Sequence, residues 1–202
     1  MQRSLRQLRT DYVDLLQLHS CSEAELRKGD VIEALKEARA RGYTRYIGYS
    51  GDGNAALYAV QSGEFDTLQT SINIAEQEAL DLTLPLARER DMGVIAKRPI
   101  ANVAWKAGNR PPPNPYAHTY WKRLQKLQYE FLKGELEETV GIALRFTLSV
   151  PGVHTAITGT TKPERMPQNA LSLEAGPLPQ ELIDEVRTRW RAVAGPVWVG
   201  QT

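Results

Sequence analysis

At 202 residues, with 42% hydrophobic and 24% charged side chains, the chain is long enough to bury one sizeable core and reads as a single domain over residues 1–202. Its 25 basic and 24 acidic residues leave a net charge of +1, spread along the chain, which argues against nucleic acid or a polybasic membrane contact as partners. The basic start MQRSLRQLRT lacks the apolar stretch of an export signal, and no run approaches the roughly 20 apolar residues of a membrane span. A lone cysteine, Cys21, excludes an internal disulfide framework and fits a reducing, cytoplasmic compartment.

Short runs rich in Val, Ile, Leu and Tyr alternate with segments of helical apolar spacing, the rhythm of repeated βα units. Strands are expected over residues 12–19, 43–50, 67–71, 93–97 and 154–159. Between the first two, Val31, Leu35 and Ala38 stand at i, i+4 and i+7, and Gly42 supplies a helix stop. Asn54 is expected to cap a helix over 55–61, and another runs over 80–90 before Gly93. Pro111, Pro112, Pro113 and Pro115 impose a long loop, followed by helices over 116–132 and 135–149. In the last helix Leu182, Val186, Trp190 and Val193 form one apolar stripe between Pro179 and Gly195. Five strands do not close the eight-stranded barrel, so the pattern leaves two architectures open, an open doubly wound sheet and an incomplete barrel. No Gly-x-Gly-x-x-Gly turn follows the first strand, which argues against the Rossmann version.

Polar and charged residues collect at the carboxyl ends of these strands. The first, LRTDYVDLLQLH, ends on His19; the second, RYIGYS, on Ser50; the third, TLQTS, carries Gln69; the fourth, GVIAKRPI, ends with Lys97 and Arg98. The last runs into ITGTTKPERMPQN, with Gly159, Thr160, Thr161, Lys162, Arg165, Gln168 and Asn169. Singly, each has an ordinary reading: His19 as a polar strand terminator, Ser50-Gly51 as a turn, Lys97 and Arg98 as solvated charges, and 163–169 as a Pro-initiated helix. Together they are more specific. A polar residue such as Gln69 inside an apolar strand needs a partner when buried, and a loop of small residues entering a helix N-terminus suits an anion.

These motifs resemble strands four to eight of the aldo-keto reductase family, from about Ser4 to the C-terminus. The resemblance implies an α/β fold, an incomplete TIM-type (β/α) barrel of about five parallel strands with helices outside. It implies an NADP(H)-dependent oxidoreductase that interconverts carbonyl and alcohol, with a small-molecule carbonyl substrate and no metal. In that family the histidine matched by His19 is catalytic and orients the substrate carbonyl. Ser50 and Gln69 match contacts to the nicotinamide carboxamide, and Gly51 departs from the asparagine usual there. Lys97 takes the place of a residue that often stacks on the nicotinamide, and Arg98 lies where the chain passes the pyrophosphate. Thr160, Thr161 and Lys162 fall beside the adenosine phosphate. Arg165 matches the arginine reaching the 2′-phosphate and Asn169 the contact to the adenine amine, while Gly159 and Gln168 stand where lysine and glutamate are common. The three βα units that precede these in complete members carry an aspartate, a proton-donating tyrosine and a lysine, and none has a counterpart here. A domain truncated at its N-terminus is therefore expected, with a partial site and slow turnover. The alternatives are a non-catalytic NADP(H)-binding or interaction protein, or an inert remnant of a longer reductase. An apolar barrel interior facing solvent and two open edges would further favour a homo-oligomer.

Overall fold

The computed structural model describes residues 1–201. In chain order the elements are α1 (Gln2–Leu8), β1 (Val13–His19), α2 (Glu23–Lys28), α3 (Asp30–Ala40), β2 (Thr44–Ser50), α4 (Gly53–Ser62), β3 (Thr67–Ser71), α5 (Glu78–Leu82), α6 (Leu84–Glu89), β4 (Gly93–Lys97), α7 (His118–Leu127), α8 (Leu136–Ser149), β5 (Thr155–Ile157), α9 (Arg165–Leu173) and α10 (Gln180–Val193). Short 3-10 segments at Ala101–Ala107, Pro115–Ala117 and Glu130–Lys133 fill the long connection on either side of α7.

The five strands form one parallel sheet in the order β1-β2-β3-β4-β5. A doubly wound sheet reverses its strand order at a switch point, whereas a barrel adds each strand beside the last. The unbroken order therefore resolves the two architectures in favour of the incomplete barrel. Alternation sets the two faces. Ile47, Tyr49, Leu68, Val94 and Ala96 point outward and are fully buried in the core shared with the helices. Burying a side chain of this size contributes roughly 1.5–3 kcal/mol, so this layer holds the sheet to its helical coat.

The other face is the barrel's inner one. Its rows follow from the strand register: Gln17 pairs with Gly48, Gly48 with Thr67 and Thr67 with Gly93, while His19, Ser50, Gln69, Ile95 and Thr155 make the next row. Tyr46 and Ile157 on this face are each 49% exposed, but the middle is polar. The expectation of an apolar interior is thus corrected: Gln17, Thr67, Gln69 and Ser50 hydrogen-bond to one another across it.

Helix boundaries depart from expectation where side chains have other partners. Asp52, not Asn54, is the residue before α4, and its carboxylate makes no cap because it is turned toward β3 and β4. The helix expected over 80–90 divides at Thr83 into α5 and α6, with Pro85 inside the first turn of α6, where a missing N–H is tolerated. The helix expected over 116–132 stops at Gln128, whose φ of 48° is left-handed. The last strand is shorter than 154–159, because only Thr155–Ile157 reaches the ladder of β4.

Candidate functional site

At the carboxyl ends of β1–β3 the parallel register brings His19 beside Ser50 and Ser50 beside Gln69. Gln69 Nε2 donates to Ser50 Oγ at 3.0 Å, and Gln17 Nε2 donates to Gln69 Oε1 at 3.1 Å. Ser50 is buried, Gln69 half-buried and His19 exposed. Gly51 follows for a steric reason: a Cβ there would lie 2.5 Å from the Tyr49 hydroxyl. Tyr49 itself donates to the Cys21 carbonyl at 2.6 Å, and burial, then Cys21 and Asp52, push its pKa up to about 12.

Lys97 and Arg98 are not solvated. Lys97 Nζ lies 2.8 Å from Asp52 Oδ2, the side chains being 10% and 2% exposed. Asp52 also accepts from Thr70 Oγ1 at 2.8 Å, Ser71 N at 2.7 Å and Ser71 Oγ at 3.2 Å. Arg98 donates to Tyr116 Oη at 2.6 Å, to Ser71 Oγ at 2.7 Å and to the Gln201 carbonyl. Its left-handed backbone (φ 56°) is followed by left-handed Ala101, Asn102 and Val103. For a β-branched residue such as Val103 that conformation is a true outlier, so the turn after β4 is held by its surroundings.

Those surroundings include a strap that sequence reading missed. Residues 196–201 run back over the strand ends: Arg123 Nη2 donates to the Val199 carbonyl (2.7 Å), Gly200 N to Glu78 Oε2 (2.7 Å) and Gln201 N to Glu76 Oε1 (2.9 Å). Trp198 is buried beneath the Arg123 guanidinium, 5.4 Å from its ring centre. Gly200 packs so closely that a Cβ would stand 2.2 Å from Asp52 Cβ. Under the strap, burial raises the Glu76 pKa and, with Glu76 beside it, that of Tyr120. Asp52, Glu76 and Arg123 were not expected from the sequence. For Asp52 the available signal was charge complementarity between the two cations at the end of β4, Lys97 and Arg98, and an acid just after β2.

The remaining expected residues lie apart from this cluster, beyond β5. Gly159 is exposed with nothing near its missing Cβ, and Thr160, Thr161 and Lys162 are exposed. Thr160 Oγ1 accepts from Lys162 N at 3.1 Å, and the first N–H groups of α9 bond to the Lys162 and Pro163 carbonyls. Arg165, Gln168 and Asn169 line a groove of about 560 Å³ between α8 and α9, together with Glu135, Glu137 and Glu164. Among the described residues no ion pair engages the Arg165 guanidinium. Across the same residues no group of three His, Cys, Asp or Glu side chains could hold a metal ion, and no helix is long and apolar enough to cross a membrane.

Comparison with known proteins gives a consistent result. The model of the aldo/keto reductase family matches residues 1–191. An oxidoreductase of Bacillus subtilis named YqkF is 27% identical over 200 residues, covering 93% of this chain and 63% of its own length. The L-galactose dehydrogenase of Arabidopsis thaliana is 25% identical over 206 residues, covering 96% and 64%. The chain thus spans a little under two thirds of the length of these curated relatives. Among solved structures, the apo form of the aldo-keto reductase AKR11C1 from Bacillus halodurans superposes with a TM-score of 0.77 at 24% identity, over 98% of this chain and 69% of that one. An aldo/keto reductase from Klebsiella pneumoniae in complex with NADP and acetate gives 0.69 at 22% identity, over 97% and 64%.

Proposed function

The chain belongs to the aldo/keto reductase family, and from that premise we propose that it is an NADP(H)-dependent oxidoreductase domain acting on a small carbonyl substrate. The observation that carries this reading is the hydrogen-bonded Ser50–Gln69 pair on the row that ends at His19. Two polar side chains with unused hydrogen-bonding capacity suit a primary carboxamide, which offers one acceptor and one donor group. At the far end, Arg165 has no ion-pair partner among the described residues and can grip an adenosine phosphate in bidentate fashion; Glu135, Glu137 and Glu164 line the same groove, so the guanidinium and not the groove as a whole supplies the attraction. The NADP-bound relative from Klebsiella pneumoniae lends support to the same cofactor.

NADPH supplies a hydride when bound. The chain's own residues then have separate tasks: Ser50 and Gln69 orient the carboxamide end, Arg165 and Asn169 hold the adenosine end, and His19 orients the carbonyl oxygen. Lys97 and Arg98 act through the Asp52 cluster and the strap, which exclude water from the strand ends. A carbonyl taking up hydride becomes an alkoxide that needs a proton within reach. Tyr49 is directed to the Cys21 carbonyl and Tyr120 to the Glu76 environment, and both have raised pKa values, the opposite of what a neutral-pH acid requires. We therefore expect the 202-residue chain to bind NADPH and to reduce aldehydes slowly, since general acid catalysis is worth about 10²- to 10⁴-fold. Titration of tryptophan fluorescence with NADPH, beside cofactor oxidation with an aromatic aldehyde, tests both halves. Failure to bind removes the reading in favour of an inert remnant, and fast turnover abolished by His19→Ala removes the deficiency argument. Binding without any turnover would favour the non-catalytic alternative.

The open edges of β1 and β5 support self-association of a single domain spanning the chain. A monomer at micromolar concentration in light scattering would count against it.

A further inference from the structure

We infer that Gln17 is a positioning residue that sets the hydrogen-bond polarity of the Ser50–Gln69 subsite; the inference rests on the reading of that subsite as a carboxamide contact. Gln17 is two residues before His19 on β1, and its register partner on β2 is Gly48, which in turn pairs with Thr67 on β3. Gly48 has no side chain, and one could not fit: a Cβ there would lie 2.1 Å from Thr67 Oγ1 and 3.0 Å from Gln17 Oε1. The bare backbone of β2 therefore lets side chains from the strands on either side meet above it. Thr67 Oγ1 donates to Gln17 Oε1 at 3.4 Å, Gln17 Nε2 donates to Gln69 Oε1 at 3.1 Å, and Gln69 Nε2 donates to Ser50 Oγ at 3.0 Å.

An amide has an acceptor end and a donor end, so the order of this row is not free. With its oxygen toward Thr67, Gln17 must offer its nitrogen to Gln69. Gln69 must then offer its nitrogen to Ser50. The serine oxygen accepts, and the serine O–H remains to donate outside the row. Turning over either amide alone sets two donors or two acceptors face to face, a costly arrangement in a half-buried site. The row can reverse only as a whole, with Thr67 Oγ1 turned from donor to acceptor; the order seen is the one in which Thr67 donates. Without Gln17, Gln69 is released: its Oε1 can turn to Ser50 and take the hydroxyl proton that a ligand carbonyl would otherwise receive. In the order in which Thr67 donates, Gln17 thus keeps Ser50 a donor without touching the ligand.

Hydrogen-bond polarity predicts a selectivity that a merely structural residue would not control. The probes are NADP⁺ and its thionicotinamide analogue, in which the amide oxygen is replaced by sulfur, a weaker acceptor; dissociation constants come from tryptophan quenching. Wild type should bind the thio analogue about fivefold more weakly, the value of one neutral hydrogen bond. Gln17→Glu is isosteric but cannot donate to Gln69 Oε1, so the ratio should fall toward one, as it should in Ser50→Ala. Gln17→Leu should give the same ratio, and Gln17→Glu guards against a variant that fails to fold. A folded Gln17→Glu protein that keeps the wild-type ratio overturns the inference while leaving the cofactor reading intact. No binding of NADP⁺ by wild type overturns both.

Discussion

Replacing Asp52 with Asn should destabilise the protein by about 3–5 kcal/mol, the cost of removing one partner from a buried ion pair. The substitution keeps the side-chain shape and an oxygen able to accept from Ser71 N and Thr70 Oγ1, which donate to it at 2.7 and 2.8 Å, so it isolates the charge. What it leaves behind is the Lys97 ammonium, formerly 2.8 Å from the carboxylate, in a side chain only 10% exposed. Arg98 Nη1, 3.8 Å from the same oxygen, loses that anion too. For a domain of this size 1 kcal/mol corresponds to roughly 2–4 °C in Tm, so the expected drop is about 6–20 °C. Urea unfolding followed in parallel by tryptophan fluorescence and circular dichroism gives the free energy and tests whether the two transitions coincide. A double variant, Asp52→Asn with Lys97→Met, should recover more than half the loss, because removing both charges from a buried pair is close to neutral. If Asp52→Asn alone lies within about 1 kcal/mol of wild type, the scale of an exposed pair, the cluster is wetter than its burial implies and the argument fails.

Three further outcomes follow from the geometry. Gly200→Ala puts a Cβ 2.2 Å from Asp52 Cβ and should displace the strap at a cost of about 1–3 kcal/mol, seen as a red shift of Trp198 emission; an unshifted spectrum would mean that the strap is not packed there. Glu76 is held protonated to higher pH in the folded state by burial, above its ordinary value of 4.5, so the folded state binds more protons over that window. Its contribution to stability should fall as pH rises through 4.5 toward the folded value, and Glu76→Gln should flatten this part of the urea-midpoint profile. Arg165→Ala should weaken NADPH by about 1–3 kcal/mol, the scale of a charge-assisted hydrogen bond, and NADH by less; equal losses in titration would place the guanidinium away from the 2′-phosphate.

The strands were legible because each is a short β-rich run, the first four ending in a polar or charged residue, and the register that puts His19, Ser50 and Gln69 on one row follows from alternation once the order is known. Helix ends were less legible. Asp52 reads locally as a turn or cap residue, and only the three-dimensional proximity of Lys97, Thr70 and Ser71 reveals why its carboxylate turns away from α4. Gln17 belongs to the same class, since its hydrogen-bonding partners lie on β3, 50 and 52 positions later. The strap was hidden for a different reason: GPVWVGQ has no periodicity, and a terminal segment is ordinarily loose. The one clue was Trp198, a large apolar side chain outside any helix.

The strap also bears on how the chain matures during synthesis. Arg123 and Val199, joined by a hydrogen bond, are 76 positions apart in sequence. At about 5–20 residues per second, roughly 4–15 s separate their translation. During that interval the sheet can assemble, yet the charged residues that the strap will cover must stay hydrated. A nascent protein at this stage has a wet, open end where the finished one has a dry, tied one, so it should be the species that chaperones and proteases engage. Closure of the strand ends therefore waits for synthesis of the strap residues that bond to Arg123, Glu78 and Glu76.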